Sequence, residues 1–255
     1  MEDKLLEFKN ISKYYDAVKA LDEVSFAIKE GEIVGLIGPN GAGKTTAIQT
    51  MMKYITPDSG DVYFKGKNIK LLSQNKLNIS YLPDEPVYFE ELTLEEHLFF
   101  ICMLYNYTQK EANESVNYII DKLELYEHKN KLPDKLSKGT KQKLQIACSL
   151  LRKFDVLLAD EPFTALDPKQ IWVLKELFLE QKKDNKSILV STHLLDLAET
   201  FCDRYICLNK GEIIGHGTKE SLIRKSNLCP GGSHSLETVF MQLLAQSKED
   251  ETCTD

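Results

Sequence analysis

The nine residues Gly38-Pro39-Asn40-Gly41-Ala42-Gly43-Lys44-Thr45-Thr46 fit the pattern G-x-x-x-x-G-K-[ST]. Glycines in such a loop let backbone N–H groups approach phosphate oxygens with no Cβ in the way, and a helix N-terminus behind them adds a positive dipole end. Lys44 is spaced to reach β- and γ-phosphates, and Thr45 to offer its hydroxyl to Mg²⁺. Downstream, the apolar run Val156-Leu157-Leu158-Ala159 ends in two carboxylates, Asp160 and Glu161. An aspartate ending such a strand is the expected Mg²⁺ partner of the loop. The glutamate beside it is placed to take a proton from attacking water. Ser187-Ile188-Leu189-Val190-Ser191-Thr192 carries His193 at its end. A lone histidine there is more often structural, although ligands of α/β sheets gather outside the carboxyl ends of the strands.

These groups need a scaffold, and the pattern supplies one. Glu32–Ile37, apolar and β-branched, reads as a buried strand before the loop, and Ala47–Tyr54 as a helix after it, ended by Ile55-Thr56-Pro57. That strand–loop–helix context separates a phosphate-binding loop from a mere glycine-rich turn. Leu5–Ile11, Val24–Ile28, Asp61–Phe64 and Asn78–Leu82 read as further strands. Between the first two lies Lys13-Tyr14-Tyr15-Asp16. An exposed tyrosine there can stack on a base, an interaction worth ~1–3 kcal/mol in single-strand binders, though packing is the commoner role of a tyrosine pair.

Residues 93 to about 150 follow a helical pattern, with capping boxes expected at Thr93/Glu96 and Thr108/Glu111. The run Leu98–Tyr105 is apolar on all sides and reads as a buried helix, or else as a surface for a partner helix. Ser137 is most simply the N-cap of the helix entered through Lys138-Gly139-Thr140. Asp167-Pro168 reads as another helix start. Tyr205–Ile214 reads as a hairpin whose Asn209-Lys210-Gly211-Glu212 only superficially resembles a guanine-reading motif, since the aspartate is missing. Pro230-Gly231-Gly232-Ser233 is an expected flexible joint. Leu236, Val239, Phe240, Leu243 and Leu244 then form one helical stripe, and the acidic, polar tail Lys248–Asp255 is expected to fray.

Bulk properties narrow the function classes. The 255 residues carry 32 basic and 39 acidic side chains, a net charge of −7, which argues against a general nucleic-acid or anionic-membrane binder. No nucleic-acid partner is expected. No run approaches the ~20 apolar residues a membrane span needs, and Met1-Glu2-Asp3-Lys4 leads into no signal-peptide core. The six cysteines include no C-x-x-C and read as reduced cytosolic thiols.

Taken in order, Gly38–Thr45, Leu136-Ser137-Lys138-Gly139-Thr140, Asp160-Glu161-Pro162, Thr164-Ala165-Leu166-Asp167 and Ser191-Thr192-His193 resemble the ATP-binding cassette (ABC) family over about residues 5–222. The resemblance implies an α/β fold: a P-loop NTPase core with a mostly parallel sheet, an antiparallel β subdomain and an inserted helical subdomain. The expected division is a cassette over residues 1–222, with core segments 1–83 and 151–222 and the helical insertion at 84–150, then an extension over 223–255 with one amphipathic helix. Tyr15 would stack on adenine. Gly38, Pro39, Asn40, Gly41, Ala42, Gly43, Lys44, Thr45 and Thr46 would cradle the phosphates of ATP. Thr45 and Asp160 would hold Mg²⁺, Glu161 would be the base and His193 would meet the γ-phosphate. Ser137 and Gly139 would bind ATP held by a second cassette, a homodimer mate or paralogue arranged head to tail, and Asp167 would lie in the loop crossing that interface.

Two positions depart from the family pattern. Asp84 stands where glutamine is usual; it would still ligate Mg²⁺ or orient water, at the cost of added negative charge. Lys138-Gly139-Thr140 replaces Gly-Gly-Gln. Asp84 with Ser137-Lys138-Gly139 and Gln142-Lys143 is similar to the ATP-binding subunits of bacterial exporters of drugs, peptides or lantibiotic-like molecules. Such a subunit would be cytoplasmic, peripheral on the inner membrane face, and would drive separate integral membrane permease subunits. Helix 94–105 and loop 84–92 would then form the groove for them. Two other readings stand beside this one: a soluble ABC ATPase such as an iron–sulfur assembly factor, and a P-loop kinase, which leaves the Ser137 segment unexplained.

Overall fold

The computed structural model describes residues 4–73, 76–229 and 232–252, with backbone alone from 248. Two sheets organise it. The first is antiparallel, in the order β2-β1-β4-β5, from β1 (Lys4–Tyr15), β2 (Val18–Lys29), β4 (Ser59–Phe64) and β5 (Lys67–Asn68). The second has six strands: β3 (Ile33–Ile37), β6 (Ile79–Leu82), β7 (Val156–Asp160), β8 (Ser187–Thr192), β9 (Arg204–Asn209) and β10 (Glu212–Gly217), in the order β10-β9-β3-β8-β7-β6. Every pairing in it is parallel except the β9–β10 hairpin. β3, β7 and β8 are buried at every position, and the stretches Ile33–Ile37, Val156–Ala159 and Ile188–Val190 are apolar without alternation. The α/β class with an added antiparallel sheet is as the sequence implies.

The helices are α1 (Lys44–Met51), α2 (Leu94–Leu104), α3 (Gln109–Lys122), α4 (Lys138–Leu151), α5 (Pro168–Lys183), α6 (Leu195–Glu199), α7 (Lys219–Lys225) and α8 (Leu236–Thr252). Helices α2, α3 and α4 lie between β6 and β7. Both expected capping boxes form: the Thr93 and Thr108 hydroxyls accept from the amides of Glu96 and Glu111, whose carboxylates return the bond.

Several boundaries differ from the sequence reading. Tyr14 and Tyr15 belong to β1, because Asp16 at φ 52° makes the tight turn into β2 immediately after them. Helix α1 starts at Lys44, three residues early, and ends at Met51, since Lys53 turns left-handed at φ 61° and both following amides fold back to the Gln49 carbonyl. Only part of Leu98–Tyr105 is buried: Leu98, Ile101 and Cys102 pack inward, whereas Met103 and Leu104 are exposed. The C-terminal stripe packs Leu236, Val239, Phe240 and Leu243 into one cluster with Ile37, Tyr205 and Cys207. Helix α8 reaches Thr252, into the stretch expected to fray, because a helix nucleated by packed turns extends at little cost. Pro230 and Gly231 of the expected joint, and Cys253-Thr254-Asp255 of the expected tail, lie outside the described residues. Among the described residues no helix is long and apolar enough to cross a membrane.

Candidate functional site

Strand β3 delivers the chain into the glycine loop at the carboxyl edge of the parallel sheet, and α1 leaves from it. Gly43, at φ 104°, caps α1 in a conformation costly for other residues, and a Cβ on it would lie 2.3 Å from the Ala20 carbonyl oxygen. A Cβ on Gly38 would lie 2.2 Å from the Leu208 oxygen. The loop is thus pressed between β2 and β9 where no side chain fits.

A cleft of about 300 Å³ opens over this loop, lined by Tyr15, Asn40, Lys44, Thr45, Asp84 and Glu161, with Gly41, Ala42, Gly43 and Thr46 completing its floor. Lys44 is buried and its Nζ donates to the carbonyls of Gly38 at 2.9 Å and Pro39 at 3.2 Å. The same Nζ lies 3.3 Å from Glu161 Oε1, an ion pair without hydrogen-bond alignment. Glu161 Oε2 lies 3.0 Å from His193 Nδ1, hydrogen-bonded when the ring carries its proton there. Glu161 therefore sits between the loop lysine and the exposed histidine.

The two carboxylates are placed by different means. Asp160 ends β7, is 1% exposed, and accepts a hydrogen bond from the Ser191 hydroxyl on the neighbouring strand. Ser191 Oγ also accepts from the Glu161 amide at 3.0 Å. Glu161 is not the next pleat of the strand: at φ 44° it has left β7, and this turn swings its side chain toward Lys44. Ser191 was missed by sequence reasoning. The only signal was a hydroxyl following the apolar triplet Ile188-Leu189-Val190.

Asp84 faces the cleft from the loop after β6. Partial desolvation of this largely exposed group, and then the charges of Asp160, Glu161 and Glu85, push its carboxyl above the usual aspartate value, against a smaller lowering by Lys138. A raised folded-state value means that stability is full below the unfolded value of 3.8 and is lost as pH rises through the folded one. Asp84→Asn removes the repulsion. Its expected effect is a gain in Tm of about 1–2 °C at pH 7, kept small by solvent screening of an exposed group. Thermal scans should show that gain shrinking toward zero as the wild type is acidified to pH 4; a gain independent of pH would show that repulsion is not its source.

Other expected residues lie apart. Tyr15 is 45% exposed at the cleft mouth. Ser137 caps α4, accepting from the Thr140 amide at 3.2 Å, and is exposed; neither it nor Gly139 lines the cleft. Asp167 caps α5, accepting from the Gln170 amide at 2.9 Å. Among the described residues no three His, Cys, Asp or Glu side chains form a ready-made metal cage. Mg²⁺ does not require one, since it is bound by one or two carboxylates with substrate phosphates and waters. Mutual repulsion around Asp84 marks an excess of negative charge that such a cation would relieve.

A profile of the family described as ABC transporter matches residues 21–164. The ABC-type transporter ATP-binding protein EcsA of Bacillus subtilis (strain 168) is 34% identical over 96% of this chain and 98% of its own length. A structure of the ATP-binding subunit of an ABC transporter superposes with a TM-score of 0.86 at 35% identity, covering 94% of this chain and 99% of that one. A dimeric ATP-binding cassette in a post-hydrolysis state with ADP and Pi superposes at 0.73 with 28% identity, covering 84% and 98%.

Proposed function

The chain belongs to the ABC transporter family as an ATP-binding, ATP-hydrolysing cassette, and from that premise we propose that it powers separate integral membrane subunits by ATP-driven pairing with a second cassette. One observation carries the reading: the cleft gathers the phosphate loop, Lys44 and Glu161 on one side, while the motif peculiar to the family lies outside it, with Ser137 exposed and Gly139 half-buried. A second copy, or a paralogue, placed head to tail would bring its own Ser137 and Gly139 to the open side of the nucleotide. A two-fold pair satisfies both sites at once.

Within the site, Tyr15 stacks on adenine, and the amides of Gly38–Thr46 and Lys44 hold the phosphates. Thr45 and Asp160 are the groups to hold Mg²⁺, with Asp84 as a further ligand or water-orienting group. Bound there, the cation neutralises phosphate charge. Glu161 takes the proton of the attacking water, and His193 orients Glu161 and meets the γ-phosphate. In the free chain Lys44 is tied to Gly38, Pro39 and Glu161. Arriving phosphates exchange that contact for their own and release Glu161 toward the water.

The surface for the membrane subunit is the apolar lip formed by the loop after β6 together with α2. Val87, Phe89, Met103 and Leu104 are exposed there. The loop bearing the first two is not slack: Gln145 accepts from the Val87 amide at 3.1 Å and His97 Nε2 from the Phe89 amide at 2.9 Å, while Phe89 meets Phe100 edge to face. A short helix from a permease fits such a lip. The export direction rests on the likeness of Asp84 and Ser137-Lys138-Gly139 to exporter subunits. Affinity purification of the full chain from detergent-solubilised membranes should carry a multi-span protein with it, and Phe89→Asp should release that partner while leaving ATP binding intact. Recovery with a soluble scaffold, or a partner indifferent to Phe89→Asp, would overturn the transport assignment.

A further inference from the structure

A cavity of about 660 Å³ lies apart from the phosphate cleft and shares no residue with it. It lies where the inserted helices meet the core, between α3, the end of α4 and α5, near the starts of β7 and β8. Its volume falls within the ~300–1,000 Å³ common for small-molecule sites. Nothing in the phosphate chemistry uses it.

Its lining has two characters. Ile119, Phe154 and Leu177, each nearly fully buried, offer apolar walls from three different segments. Arg152, Lys153 and Lys186 bring three positive charges against the single carboxylate of Glu114. Arg152 caps the C-terminus of α4, and its buried Nε has no hydrogen-bond partner. None of these three cations forms an ion pair among the described residues, so the wall they make is electropositive and favours an anion. The rim is built of groups already held in place: the Tyr107 hydroxyl donates to the Leu151 carbonyl at 2.9 Å beneath the Lys153 ammonium, which sits 4.6 Å from the ring centre. Tyr118 is fixed by donating to Glu180 on α5, which also pairs with Lys122 at 3.0 Å.

We propose that this cavity is a second ligand site, for an amphipathic organic anion: a carboxylate, sulfonate or phosphate headgroup meeting Arg152, carried on an apolar or aromatic body that fills the space between Ile119, Phe154 and Leu177. A free inorganic anion does not use the apolar walls, and a neutral apolar molecule leaves the excess positive charge of Arg152, Lys153 and Lys186 without a counter-charge.

The probe is 1-anilinonaphthalene-8-sulfonate, titrated onto the full chain with saturating ATP present. The single tryptophan, Trp172, lies on α5 five residues before Leu177, about 7.5 Å along the helix axis, and serves as energy donor. One saturable site with transfer from Trp172, unaffected by ATP, is the expected result. Arg152→Gln should weaken it about tenfold or more, as loss of a charge-assisted contact does. Ser115→Phe, which fills the cavity from α3, should abolish it; circular dichroism and ATP affinity, unchanged in both variants, separate loss of the site from loss of the fold. Displacement of the dye by ATP would place it in the phosphate cleft and overturn the proposal. Non-saturable binding would also overturn it, as would unchanged affinity in Arg152→Gln or Ser115→Phe.

Discussion

Glu161→Gln should reduce ATP turnover by about 10²–10⁴-fold, the range a general base supplies, without weakening ATP binding. The substitution keeps shape and removes the charge that accepts the proton. It also alters the competition described for Lys44. In the wild-type chain the Glu161 carboxylate sits 3.3 Å from Lys44 Nζ and 3.0 Å from His193 Nδ1. An amide still accepts from His193, though more weakly than a carboxylate, and it gives Lys44 no counter-charge, so the lysine is released toward phosphate. ATP affinity should therefore be equal to or tighter than that of the wild type. If ATP binding favours the paired form and hydrolysis dissolves it, as the proposed function requires, the variant should also accumulate an ATP-dependent dimer. Phosphate release, equilibrium nucleotide binding and sizing chromatography with and without ATP read the three effects separately. Turnover at the wild-type level would remove Glu161 from the role of base. Loss of ATP affinity in step with turnover would show instead that the substitution had disturbed the cleft.

How Glu161 reaches that position shows where the sequence is legible. Local chemistry could be read directly. The loop from Gly38 to Thr46 needs glycines where β2 and β9 press on it, and the apolar stretches Val156–Ala159 before Asp160 and Ile188–Val190 ahead of His193 mark strands buried on both faces. Alternation along a strand predicts that Asp160 and Glu161 point oppositely, but it cannot predict that Glu161 turns left-handed and leaves the sheet. That turn is supported from another strand, by Ser191, thirty-one residues from Asp160. A hydroxyl's partner across a sheet depends on register, which no local pattern encodes. The lip near Phe89 is similar: its amides are satisfied by Gln145 and His97, whose side chains look like ordinary helix residues until α2 and α4 are packed together. Asp84 was visible as a residue type; its elevated carboxyl arises from partial desolvation and charges contributed by β7 and the turn after it.

Two individually inactive variants should restore activity to each other when mixed, if the site is shared between chains. Lys44→Ala removes the phosphate lysine from a chain's own cleft. Ser137→Arg blocks the face that a chain offers to its mate. Ser137 suits this test because it is exposed and bounded by solvent, so a large side chain is accommodated in the single chain at the loss of an N-cap, about 1 kcal/mol. Gly139 suits it less, since a Cβ there would stand 3.2 Å from the Ala165 carbonyl oxygen and disturb the loop before Asp167. Each variant alone forms pairs in which both sites are spoiled. Randomly mixed, half the pairs contain one of each chain, and in each such pair one site joins an intact Lys44 to an intact Ser137. Recovery is therefore about one quarter of wild-type turnover for independent two-fold sites. The measurement is phosphate release from the two variants separately and from their equimolar mixture at the same total concentration. A mixture no more active than its components would sink the arrangement in which two copies close each other's clefts. With recovery, Ser137 and Lys44 act on the same nucleotide from different chains, and ATP itself becomes the contact that draws the cassettes together.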